Sequence, residues 1–145
     1  MFLDALALLG DAQSSTVSVA STDYIDTLAT GQQYEGCFFV NRVDTAFAST
    51  GTTTCTFQLQ TSDDSSFLDA TTATLAASSA FTASQLTAGK QWSVRIPATG
   101  VKRYLRGYKV MSANSGGNYW TAAVYDTFIA KDIDVMDALG AVGFG

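Results

Sequence analysis

The chain has 145 residues, no histidine, and 13 acidic against 8 basic side chains, a formal net charge of −5. A single domain of this length hides roughly two-thirds of the surface of its extended chain, and 47% apolar against 14% charged residues argue for a packed core rather than disorder. The missing histidine excludes Ser-His-Asp and Cys-His catalysis and most zinc or haem sites, and the negative balance speaks against nucleic acid or an anionic membrane as a direct partner.

Residues 1–13 carry Phe2, Leu3, Leu6, Leu8 and Leu9 with few polar partners and read as an apolar N-terminal arm. The run lacks a basic start, contains Asp4 and ends at Gly10. It is therefore neither a secretory signal nor a membrane span, which needs about 20 apolar residues. A product made and kept soluble in the cytosol is expected.

From 14 to 129 the chain reads as one β domain. Strands are expected at 16–20, 24–28 and 37–43, with Gly31 and the stretch 48–51 as turns. Residues 54–61 alternate with period 2, which puts Cys55, Phe57 and Leu59 on one face and Thr56, Gln58 and Gln60 on the other. A turn at 62–65 follows. The Ala-, Ser- and Thr-rich stretch 70–86 is a poor helix former despite its alanines, so it reads as a strand at 72–77 and a long connection. Residues 91–96 repeat the alternation, with Trp92, Val94 and Ile96 inward and Gln91, Ser93 and Arg95 outward. Pro97, which has no N–H to donate, ends that ladder. Turns at 88–90, 99–100 and 114–118 bracket further strands at 104–111 and 119–128. About eight short antiparallel strands, spaced roughly 8–15 residues apart, make an all-β jelly roll or β-sandwich the expected fold.

Residues 130–145 form a C-terminal tail of a different kind. It opens with the alternating Asp132-Ile133-Asp134-Val135 and closes with Gly140, Gly143 and Gly145 set among Leu139, Val142 and Phe144. Such a tail is too glycine-rich to hold a helix or strand alone and too apolar to stay solvated. Burying Val135, Met136, Leu139, Val142 and Phe144 gains about 7–15 kcal/mol. Ordering the segment costs on the order of 1–2 kcal/mol per residue. Attachment through it calls for several copies acting together.

Few residues offer chemistry. Cys37 and Cys55 lie on separate expected strands, where a reducing compartment favours two buried thiols over a bridge; their spacing is not that of a metal or redox motif. Asp63, Asp64 and Asp69 lack the following glutamate of a calcium loop and read as a solvated turn. Asp132, Asp134 and Asp137 read as solubilising charges on the apolar tail. Glu35 is the sole glutamate, and nothing at readable spacing completes a glycosidase pair. The expectation is a protein that is not an enzyme and holds no cofactor or metal.

The segment 102–109 gathers Lys102, Arg103, Arg106 and Lys109 around two tyrosines. On a strand, Arg106 shares a face with Tyr104 and Tyr108, and their rings cover its stem. Tyrosine and arginine together are typical anchors of protein–protein interfaces, which makes Arg103, Arg106 and Tyr108 interface candidates. The apolar ends add Phe2, Leu3, Leu6 and Leu9 on the arm and Ile133, Val135, Met136, Leu139, Val142 and Phe144 on the tail.

An ordered series of short motifs runs through most of the chain. It begins with Met1-Phe2-Leu3-Asp4-Ala5 and Asp11-Ala12-Gln13, then Val43-Asp44-Thr45-Ala46-Phe47. Next come Leu59-Gln60-Thr61-Ser62-Asp63 leading to Phe67, and Ala88-Gly89-Lys90 before a strand ending Ile96-Pro97. The last is Arg103-Tyr104-Leu105-Arg106. In this order and spacing, from residue 1 to about 128, the chain resembles the small capsid cement proteins of tailed bacteriophages, of the Bordetella podophage type. That resemblance implies a jelly-roll sandwich made in the host cytoplasm and placed on the outer surface of the virion capsid. There it would form a homo-oligomer, dimer or trimer, and bridge neighbouring major capsid protein subunits. It carries no catalytic residues. A rival expectation is a carbohydrate-binding or adhesin module, with Trp92, Trp120 and Tyr119 available to stack on sugars.

Overall fold

Period-2 alternation extends through most of the chain and builds ten strands in a computed structural model that describes residues 8–27, 37–97, 99–112 and 119–130. They are β1 (Leu8–Ser14), β2 (Val19–Ala20), β3 (Ile25–Asp26), β4 (Phe38–Ser49), β5 (Thr54–Ser62), β6 (Ala73–Ala77), β7 (Phe81–Thr82), β8 (Gln91–Arg95), β9 (Tyr104–Met111) and β10 (Trp120–Ala130). One 3-10 turn, Ala83–Gln85, follows β7. No α-helix occurs among the described residues.

The strands form two antiparallel sheets. One has the order β1-β10-β4-β8; the other has the order β2-β9-β5-β6, with β3 also on β9 and β7 also on β5. Taking β2 with β3, and β6 with β7, as two interrupted strands leaves eight positions. Every connection among them changes sheet except that from β5 to β6. This is the jelly-roll arrangement expected from the sequence.

Between the sheets lie Phe39, Val43 and Phe47 of β4, Cys55, Phe57 and Leu59 of β5, Leu105 of β9, and Tyr125 and Ile129 of β10, all buried. Aromatic rings dominate one half of this core: Phe47 meets Phe57, Trp120 and Tyr125 at centroid distances of 6.3, 6.0 and 6.3 Å. Edge-to-face pairs of this kind add about 0.5–1.5 kcal/mol each beyond the area they bury. Cys37 and Cys55 sit in separate clusters of the core as thiols, and no bridge joins them.

The structure moves two expected boundaries. The arm drawn over residues 1–13 is an edge strand in its second half: β1 pairs with β10 from Leu8↔Phe128 to Ser14↔Val124. Two bulges interrupt that ladder, and Ala12 takes φ 46° with its N–H donated to Asp126 Oδ1 at 2.7 Å. Residues 48–49, expected in a turn, lie instead in β4. Phe47 returns to the core beyond exposed Asp44, Thr45 and Ala46, and its N–H is held by the Leu86 carbonyl at 2.9 Å.

Candidate interaction surface

Strand β9 places its residues by parity. Leu105, Gly107, Lys109 and Met111 face inward and are buried, whereas Tyr104, Arg106, Tyr108 and Val110 line the outer face of the six-stranded sheet. Arg106 is held there by Gln60 of β5, whose Oε1 accepts from its Nε at 2.8 Å. Its guanidinium lies 4.4 Å from the Phe67 ring and 5.3 Å from the Tyr108 ring. Tyr24 continues the patch, edge-to-face with Tyr104 at 5.6 Å and with Phe67 at 6.3 Å.

A braced loop presents Phe67. The buried Ser62 hydroxyl donates to Asp69 Oδ1 at 3.1 Å and accepts from the Asp64 N–H at 3.1 Å and the Thr72 hydroxyl at 3.0 Å. Thr71 donates both its hydroxyl and its N–H to the same Asp69 oxygen, at 2.7 and 3.1 Å. The Thr71 hydroxyl bond is the main reason the Asp69 carboxyl titrates below its ordinary value. The three aspartates read as a solvated turn thus include two that fasten a loop. Phe67 adopts φ 56°, a conformation rare for a residue with a side chain. That backbone folds its ring onto Arg106 and leaves Leu68, the next residue, 86% exposed.

Of the candidates on this face, Arg106 and Tyr108 converge. Arg103 stands at the entrance to β9 and spends its charge on Asp26, donating from Nε and Nη2 at 2.8 and 3.0 Å. The hydrogen bonds it donates to Asp26 raise the Arg103 pKa above the ordinary arginine value. Tyr24, Phe67 and Leu68 were not legible as site residues, because strand alternation says nothing of how a loop folds back over a sheet.

The terminal candidates divide. Leu9 is not an interface residue: it is fully buried in this chain's own core beside Phe39 and Ile129, because β1 carries it to the inner face. Phe2, Leu3, Leu6, Ile133, Val135, Met136, Leu139, Val142 and Phe144 lie outside the described residues.

A second apolar cluster, unforeseen, occupies the outer face of the four-stranded sheet. Val40 and Phe128 are cross-strand partners, as are Phe38 and Ala130, and Leu8 pairs with Phe128 from the other side. Val40, Phe128 and Ala130 are nonetheless buried, with Leu8 and Phe38 packed against them. The signal was present as two unbroken apolar runs, Phe38-Phe39-Val40 and Phe128-Ile129-Ala130, which mark strands buried on both faces.

The rings available to a sugar are fewer than the sequence offered. Trp120 is buried against Phe47, and Trp92 packs between Phe39 and Phe57 at 6.1 and 6.5 Å. Tyr119 alone of the three is open, at 47% exposure. A shallow groove of about 540 Å³ near it is lined mainly by the hydroxyl residues Ser49, Thr52, Thr53, Thr82 and Ser84. Among the described residues no helix is long and apolar enough to cross a membrane.

Comparison with curated proteins finds no match. The sequence profile of the Bbp16 family, however, matches residues 9–129, from within β1 to within β10 and across every strand between them. The chain belongs to the Bbp16 family, whose name points to a Bordetella phage protein.

Proposed function

We propose that this protein is a capsid cement protein. It acts as a structural component rather than a catalyst, sits as a homo-oligomer on the outside of the phage head, and bridges major capsid protein subunits. The observation that carries this reading is the family match over the entire jelly roll, in a chain whose ordered motifs resemble cement proteins. The Tyr24–Arg106–Tyr108 face, backed by the Phe67 ring, supports it, since tyrosine and arginine are enriched where protein-binding energy is concentrated. The net charge of −5 suits a place on the outer shell, away from packaged DNA.

The test is co-sedimentation with empty heads of the cognate phage, alongside the oligomeric mass from light scattering. A defined oligomer that pellets with heads in near-stoichiometric amounts supports the proposal. A monomer that stays in the supernatant overturns it.

A further inference from the structure

Two nearby arginines, Arg103 at the entrance to β9 and Arg106 within it, use their charge in opposite ways. Arg103 donates from Nε and Nη2 to both oxygens of Asp26, and that pairing raises its pKa. Arg106 donates from Nε to Gln60 Oε1 at 2.8 Å, and among the described residues no hydrogen bond or ion pair engages its two terminal nitrogens. Burial lowers its pKa below the ordinary arginine value, partly offset by Tyr108. A cation in this position has given up water without receiving a counter-ion.

The side chain is nonetheless fixed in place. Gln60 holds its Nε edge, and the guanidinium carbon lies 4.4 Å from the centre of the Phe67 ring and 5.3 Å from that of Tyr108. Phe67 is itself set by its positive φ and by the Ser62–Asp69–Thr71 bonds of its loop. A guanidinium restrained in this way loses little freedom on binding, and its terminal nitrogens present two parallel donors that match a carboxylate. The other cations of segment 102–109 are committed. Lys102 donates to the Thr71 carbonyl, Arg103 pairs with Asp26, and Lys109 is buried against the Ser15 carbonyl.

We propose that Arg106 receives an aspartate or glutamate side chain of a major capsid subunit, end-on at its two terminal nitrogens and beside the Tyr108 ring. The proposal rests on the cement reading and names the chemistry that the partner brings to this face. A second copy of this chain fits less well. Asp26, Asp64 and Asp69, carried by this sheet and its loop, are already held by Arg103, Ser66 and Thr71 of their own chain. Arg106 is half-buried, so its ion pair is screened by salt less than one on the open surface.

The experiment titrates full-length protein against empty heads of the cognate phage. Arg106→Gln removes the charge at the site, and Arg42→Gln makes the same change in net charge at an exposed position of the other sheet. Arg106→Gln should bind about tenfold more weakly than wild type, as at an interface hot spot, and Arg42→Gln should bind as wild type does. A third variant, Arg106→Lys, is coupled to heads with a carbodiimide, which joins an amine directly to a carboxylate in contact with it. The introduced amine should form an amide with a capsid aspartate or glutamate, located by mass spectrometry. Wild-type binding by Arg106→Gln, or an equal loss in Arg42→Gln, overturns the proposal and leaves the cement reading standing. A cross-link from position 106 to a second copy of this chain also overturns it. If Arg106→Gln fails to fold, the coupling decides: a capsid cross-link supports the proposal and its absence overturns it. A wild type that ignores heads removes the cement reading, and the proposal falls with it.

Discussion

At the centre of β9, Lys109 is fully buried between the sheets, with its Nζ donated to the Ser15 carbonyl and set 4.9 and 5.7 Å from the Tyr125 and Phe47 rings. Burial lowers its pKa from 10.5 to about 8, partly offset by Cys55 nearby. In the unfolded chain the amine regains its ordinary value, so above about pH 8 the unfolded state binds more protons and stability rises with pH. Cys55, which burial pushes up to about 12 despite Lys109, has the opposite sign: it favours the folded state less and less above its unfolded value of 9.0. Urea denaturation should therefore show stability climbing between pH 8 and 9 and levelling or falling beyond. Lys109→Met should abolish the climb; a slope unchanged in that variant would assign it to another group. Sequence reading grouped Lys109 with the basic segment 102–109 and assigned it no face. The alternation that placed Arg106 outward puts Lys109 inward, but a lysine is so rarely buried that its charge masked its parity.

Whole strands were legible where one face is buried and the other wet. Strand β9 spans the expected 104–111, and β5 keeps the alternation of Cys55, Phe57 and Leu59. The two-residue strands β2, β3 and β7 were not delimited, since pairing with a neighbour rather than local preference sets their length. Strands β4 and β10 were expected at 37–43 and 119–128 with no faces assigned, and both are buried on two faces over Phe38–Val40 and Phe128–Ala130. That difference can be measured. Val40→Ala should cost about 1–3 kcal/mol although Val40 points away from the inter-sheet core, because its burial matches that of an interior residue. A denaturation midpoint within error of wild type would show that the outer-face cluster adds nothing to the fold.

For the molecule as a whole, the jelly roll could be foreseen from spacing and turns, but the face proposed here for partner binding needed the tertiary fold to assemble. Tyr24, Phe67 and Arg106 come from three separate parts of the chain. Leu68→Ser should leave stability within about 0.5 kcal/mol, as expected for an exposed position, and should reduce co-sedimentation with heads. Unchanged association would move the contact elsewhere on the surface. Deleting residues 132–145 should weaken head association or oligomerisation, and a deletion that alters neither would remove the tail from the attachment.

The pairing of β1 with β10 has a mechanical consequence. Leu8 faces Phe128, and Ala130 lies two residues beyond it, so both strands present these ends on the same side of the four-stranded sheet. A pull applied at Leu8 and Ala130 would open the ladder one hydrogen bond at a time, as a zipper opens, and would meet little resistance. A pull along the strands' long axes in opposite senses must break many bonds together. If this protein bears load on a pressurised shell, the force is best carried through the faces and edges of the sheets rather than through the two ends of the β1–β10 pair.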